Sequence, residues 1–330
     1  MLIRGDATVI PLADNSVDLV VTSPPYFALR SYQDGDEHYA GQIGSEASPQ
    51  DFLEALWAVT RECVRVVKPS GSIFVNLGDK YAGSSGRNNN GTGSSTLVGT
   101  PSVRNRAAAK AVTYSTTTRP KSLMGLPWRY AIGCIDELGL ILRSEIVWSK
   151  PNGLPESVTD RVRRSHEQWF HFTLEPRYFS AIDEIREAYT SEAAHAFTGH
   201  AKQYGDQRND DGRNCVGEKN PLGKLPGSVW SIPSEPLQVP DHLGVDHFAA
   251  FPQEWPRRLI LGWSPPDGVV LDPFVGTGTV PMVARALGRT GIGVDLSADY
   301  LRLADWRIHE SGHAAKTIRR TNQERQGSLL

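Results

Sequence analysis

The chain has 330 residues, 39% of them hydrophobic, and a formal net charge of −2 at pH 7, enough to bury one large core or two modest ones. That balance excludes a polycation, so any nucleic-acid contact has to come from local basic patches. There is no run of eighteen apolar residues to span a bilayer, Met1 to Asp6 carry no signal-peptide pattern, and Cys63, Cys134 and Cys215 stand far apart with no CxxC, so a cytoplasmic protein with no membrane contact, no disulfide and no metal is expected.

In chain order, Met1 to Val9 is short and mixed, with a turn at Gly5-Asp6. Val17 to Thr22 reads as a buried strand that stops in Ser23-Pro24-Pro25-Tyr26. Two prolines remove two backbone donors and hold the chain extended, and Ser23 before them is pushed to the β region. The outcome is a rigid lip with a hydroxyl, carbonyls outside any ladder and an aromatic face. Acceptors beside a stacking plane suit a flat heterocycle with an exocyclic amino group, although an ordinary strand-to-loop stop looks the same in isolation. Phe27 to Ala47 is a loop or lid. Ser48-Pro49-Gln50-Asp51 starts a helix, with Ser48 at the N-cap. Phe52, Leu53, Leu56, Val59, Cys63 and Val67 follow at helical spacing, and Pro69-Ser70-Gly71 ends the run. Ser72 to Leu77 is a strand closing at Gly78-Asp79.

Residues 84–122 hold Arg87, Arg104, Arg106, Lys110, Arg119 and Lys121 with no acidic residue. They read as a flexible surface insertion that can also close over phosphates. Pro127 to Leu138 is helical, and Leu140 to Trp148 and Glu167 to Leu174 are strands with Arg161, Arg163 and Arg164 between them. His166 and His171 read as structural or substrate-facing. Tyr178 to Val245 is rich in Pro, Gly and Asn and reads as a smaller loop-rich module. Pro252 to Trp263 is a helix. Val269 to Asp272 is a short strand, Pro273 to Thr279 a glycine-rich turn, Val280 to Leu287 a helix, and Thr290 to Val294 a strand ending in Asp295. Strand, glycine turn, helix, strand and acid in that order place a close backbone approach and a ribose acceptor together, which points to a nucleotide-type ligand; the helix N-terminus would also suit a carboxylate or phosphate.

Thr22-Ser23-Pro24-Pro25-Tyr26 resembles the catalytic [DNS]-P-P-[YFW] motif of the S-adenosylmethionine-dependent amino-DNA methyltransferases, and Asp272-Pro273-Phe274-Val275-Gly276-Thr277-Gly278-Thr279 resembles their cofactor loop. Gly293-Val294-Asp295 with Tyr300 and Arg307, His247 to Pro252, and Arg4-Gly5-Asp6 resemble their flanking motifs. The catalytic motif comes first and the cofactor motif last, the circularly permuted order called class beta. The resemblance covers about residues 1–80, 123–178 and 245–310. It implies an α/β, Rossmann-like fold with a seven-stranded, mostly parallel sheet and one antiparallel strand. Residues 1–178 would form the catalytic half, 179–244 a target-recognition module, 245–310 the cofactor half and 311–330 a disordered tail. The strands expected are one near the N-terminus, Val17–Thr22, Ser72–Leu77, a pair near Ser144–Trp148 and Gln168–Leu174, Val269–Asp272 and Thr290–Asp295, with the catalytic and cofactor strands side by side.

By the same resemblance, Ser23, Pro24, Pro25 and Tyr26 are catalytic. Ser23 Oγ and the Pro24 carbonyl would accept from the target amino group, and Tyr26 would stack on a base flipped from double-stranded DNA. Asp6, Thr22, Asp272, Pro273, Phe274, Gly276, Thr277, Gly278, Thr279 and Asp295 would bind S-adenosylmethionine. Arg104, Arg106, Lys110, Arg161, Arg163 and Arg164 would meet DNA. Serine at the first motif position is commoner in cytosine-N4 enzymes and aspartate in adenine-N6 enzymes, so cytosine N4 is expected and adenine N6 is the alternative. An RNA or small-molecule methyltransferase and an inactive DNA-binding relative are the other readings. A cognate restriction endonuclease and a homodimer are the partners the family suggests.

Overall fold

The structure is a computed structural model that describes residues 1–28, 33, 34, 37, 38, 42–83, 114–153, 155–189, 220–237, 239, 240, 243 and 250–309. Arg104, Arg106, Lys110, His247, Cys215 and the tail from residue 310 lie outside the described residues.

The chain runs β1 (Leu2–Arg4), β2 (Val17–Thr22), a small antiparallel ribbon of β3 (Gln33–Asp34) and β4 (Glu37–His38), α1 (Pro49–Val66), β5 (Val67–Leu77), α2 (Leu126–Asp136), β6 (Ile141–Ser149), β7 (His166–Thr173), β8 (Val229–Ser231), α3 (Glu254–Trp263), β9 (Val269–Asp272), α4 (Thr279–Ala286), β10 (Thr290–Asp295) and α5 (Ala298–His309). The main sheet has the order β1-β10-β9-β2-β5-β7-β6-β8. Only β7 runs antiparallel to its neighbours; β8 returns to the parallel sense on β6.

β2 is buried along its whole length, as a strand covered on both faces must be. Its residues alternate between layers: Val20 packs with α1 and α2, Leu19 and Val21 with α3 and α4. α1 forms where expected. The Asp51 N–H donates to Ser48 Oγ at 3.2 Å, Pro49 takes the first turn, and Phe52, Leu53, Leu56, Val59 and Cys63 form one buried stripe, each large side chain contributing roughly 1.5–3 kcal/mol of burial.

β2 and β9 lie side by side, with Leu19 opposite Val270 and Val20 opposite Leu271. From that seam α1 carries the chain to β5 on one side and α4 carries it to β10 on the other. The strand order therefore reverses there, and a crevice opens at the carboxyl ends of the two strands.

The sheet differs from the expectation in two details. It has eight strands because Val229-Trp230-Ser231 adds to β6 at the edge; three residues among prolines and glycines carry no readable alternation. The helix α1 ends at Val66 rather than at Pro69. Lys68 to Gly71 instead bulge out of β5, since Val17 faces Val67 while Leu19 already faces Ser72. Pro69 has no N–H to give a ladder, so a bulge accommodates it, and Lys68 Nζ ties it to Asp18 Oδ1 at 2.7 Å.

Candidate active site

The lip begins where β2 ends. Tyr26 Oη lies 2.8 Å from Asn76 Oδ1 on β5 and 2.8 Å from Glu167 Oε2 on β7. Ser23 Oγ donates to Asn76 Oδ1 at 3.2 Å, and Asn76 Nδ2 donates to the Gln168 carbonyl at 3.0 Å. Behind the ring stands Gly78, where a Cβ would lie 2.7 Å from Tyr26 Cε2; only glycine leaves room for this ring. Burial, and then the Glu167 carboxylate, raise the Tyr26 hydroxyl well above its usual range, so it stays a protonated phenol. Glu167 in turn pairs with Lys150. The Ser23 and Pro24 carbonyls make no hydrogen bond among the described residues.

The turn after β9 is built by its own acids and glycines. Asp272 Oδ1 accepts from Thr22 Oγ1 at 2.7 Å and from the Phe274 N–H at 3.1 Å, tying the tips of β2 and β9 together. Gly276 and Gly278 have φ of 46° and 78°, the left-handed region that favours glycine. Asp295, at the end of β10, accepts from the Gly276 N–H and the Ser297 N–H, both at 2.9 Å. Arg307 of α5 is buried and donates from Nη1 to Thr277 Oγ1 and Thr279 Oγ1, both at 2.7 Å. Burial pushes the Asp272 carboxyl up to about 7, because removal from water penalises the charged form.

Lip and turn wall one cavity of about 240 Å³. Ser23, Pro24, Pro25 and Tyr26 line it at one end; Pro273, Phe274, Gly276, Thr277, Thr279 and Asp295 line it at the other, with Asp6 alongside. Thr22, Asp272 and Gly278 are not on its surface. The first two form the strap beneath it, and Gly278 begins α4 against Ala304.

The charged residues lining this cavity are Asp6, Glu167 and Asp295, with no Lys, Arg or His among the described lining. Glu167 is neutralised by Lys150, which leaves two carboxylates facing the space. A phosphate would be repelled there, whereas a cationic nucleoside with ribose hydroxyls and a flat adenine fits the donor set: acceptors at Asp6 and Asp295, apolar faces at Phe274, Ile43 and Leu296.

The basic residues between β6 and β7 also bond within the chain. Arg161 stacks on Tyr81 at 4.0 Å and pairs with Glu156 at 2.8 Å. Arg164 donates to the Asp79 carbonyl at 2.6 Å, and Arg163 is exposed and donates to the Gly153 carbonyl at 2.8 Å. His171 is core: it stacks on Phe74 at 4.2 Å, meets Ser72 Oγ at 3.0 Å, and burial pushes it down to about 3.

Reasoning from sequence missed Asn76, Gly78, Lys150 and Glu167. A signal was present for the first: Asn76 is the one amide in the apolar run Ile73 to Leu77. Glu167 and Lys150 gave none, since each looks like a strand-end charge until the sheet brings them together.

A family model described as DNA methylase, N6_N4_Mtase, matches residues 17–305. Among relatives, the type II methyltransferase M.XycI of Xanthomonas campestris pv. cyanopsidis is 37% identical over 96% of this chain and 90% of that protein. M.Cfr9I of Citrobacter freundii is 36% identical over 92% and 85%. Among solved structures, the PvuII DNA methyltransferase, a cytosine-N4-specific enzyme, superposes with a TM-score of 0.62 at 17% identity, covering 97% of this chain and 91% of that one, which establishes a shared fold. On the family match and on the identity to these relatives, the chain belongs to the N6_N4_Mtase family and is an S-adenosylmethionine-dependent DNA methyltransferase.

Proposed function

We propose that the protein methylates the exocyclic N4 of a cytosine flipped out of double-stranded DNA. The observation that carries this reading is the single cavity walled by Ser23 to Tyr26 at one end and by the Phe274 to Thr277 turn and Asp295 at the other. S-adenosylmethionine, when bound, supplies a methyl group on a sulfonium. Phe274, Gly276 and Asp295 would hold it, the carboxylate toward the ribose hydroxyls.

An exocyclic amino nitrogen is a poor nucleophile because its lone pair is delocalised into the ring. Ser23 Oγ and the Pro24 carbonyl would accept its two N–H groups, favour a pyramidal nitrogen and aim the lone pair. Tyr26 would stack on the base. These are orientation and preorganised electrostatics, with no covalent adduct to the protein. A duplex base cannot reach such a recess without leaving its stack. Ser23, rather than an aspartate, is the residue that favours cytosine within this family. Arg163 on the loop beside the lip is the described cation we assign to a phosphate, and a restriction endonuclease with the same target is the partner we infer.

The test is methyl transfer from labelled S-adenosylmethionine to unmethylated plasmid DNA, followed by nucleoside analysis. N4-methyldeoxycytidine is expected. N6-methyldeoxyadenosine would overturn the base assignment, and label absent from DNA would overturn the function.

A further inference from the structure

We propose that Glu167, held by Lys150, is a positioning residue that fixes the Tyr26 ring as a ready-made stacking face for the target base. The inference rests on the reading of Tyr26 as that face and extends it to two residues outside the motif.

Hydrogen counting supports it. Tyr26 has one hydroxyl hydrogen and two acceptors at 2.8 Å, Asn76 Oδ1 and Glu167 Oε2. The Asn76 amide cannot be turned round, because Nδ2 is committed to the Gln168 carbonyl at 3.0 Å. Its Oδ1 already receives the Ser23 hydroxyl at 3.2 Å. The phenol hydrogen therefore goes to the carboxylate, the stronger acceptor. Lys150 pairs with the other oxygen of that carboxylate. The pair is 3% and 5% exposed for Lys150 and Glu167, and two buried charges cost several kcal/mol of desolvation that their attraction offsets only in good geometry. Packing Tyr26 alone needs no such pair.

The clamp sits on rigid elements. Trp148 of β6 lies opposite Glu167 of β7, and Asn76 of β5 lies opposite Trp169 of β7. Lys150 follows β6 directly and rests 4.0 Å over the Trp148 ring. Three neighbouring strands thus hold one end of the Tyr26 ring while Gly78 backs its edge, and Tyr26 lines the cavity. A ring held this way stacks on a base without first having to be ordered.

The test is a double-mutant cycle of E167Q and Y26F, read as single-turnover methyl transfer to unmethylated plasmid DNA, with S-adenosylmethionine affinity measured by calorimetry. E167Q is expected to slow transfer by about tenfold or more with cofactor affinity within about twofold. In the Y26F background the same substitution should change the rate by less than about twofold, since the hydroxyl it acts through is gone. The charge-balanced E167Q/K150M protein removes both buried charges and guards against misfolding; it should repeat the E167Q result. A wild-type rate in E167Q or in E167Q/K150M, or an equal loss with and without the Tyr26 hydroxyl, would overturn the proposal. A wild-type rate in Y26A would instead overturn the stacking role of Tyr26 itself.

Discussion

The two ends of the cavity are held in different ways. The cofactor turn is shaped close to its own sequence: Asp272 bonds the Phe274 N–H two residues on, and Asp295 bonds the Gly276 N–H nineteen residues back. The lip is shaped from afar, by Asn76 fifty residues away and Glu167 a further ninety-one beyond that, 141 from Tyr26. The turn is a local motif completed by one helix residue, Arg307. The lip is a motif that remains loose until β5, β6 and β7 have assembled.

This contrast can be broken or sharpened by substitution. The largest effect is expected at the strap that joins the two ends. Asp272 has its folded-state carboxyl near 7, against about 3.9 when unfolded. Between those values the folded protein retains a proton that the unfolded chain has lost, so stability falls as pH rises from about 4 to about 7 and is level above. D272N carries no such proton. Its stability relative to wild type should rise across that window by up to about 4 kcal/mol, read from urea unfolding at pH 4.5 and 7.5; an unchanged difference would place the ionised carboxyl in a comfortable site.

Next comes the turn. D295A leaves the Gly276 and Ser297 N–H groups without their charged acceptor and should weaken S-adenosylmethionine binding by about 100-fold, or about 3 kcal/mol, as measured by calorimetry. R307M releases Thr277 and Thr279 and should cost about 2 kcal/mol of the same affinity, whereas lip substitutions should leave that affinity alone. Smallest is G78A. Its Cβ would press on Tyr26 at 2.7 Å, so methyl transfer should slow by about tenfold, about 1.4 kcal/mol, while cofactor affinity stays at the wild-type value. If G78A instead weakened cofactor binding as D295A does, the two ends would not be separately held.

The same contrast explains what could be read in advance. The turn, its helix and the acid at the end of β10 were legible because their partners are near in sequence and their residue types are those the geometry demands. The adjacency of β2 and β9 was implied by the resemblance to the permuted family. The clamp was not legible, because a Glu beginning one strand and a Lys ending another carry no sign of each other until antiparallel pairing sets Trp148 beside Glu167. β8 escaped notice for a different reason: three residues are too few for a period of two to show. The partners of Arg161 and Arg164 within the chain, Glu156 and the Asp79 carbonyl, were not legible either, since charge alone does not reveal which groups a guanidinium meets.

The central claim is that lip and turn serve one bound nucleoside and one base. A crystal structure of the protein with S-adenosylmethionine tests it most directly. The ribose is expected against Asp295, with the sulfonium methyl pointing into the gap beside Ser23 and Tyr26. A ligand held away from Asp295, or bound there with its methyl turned from Tyr26, would contradict it.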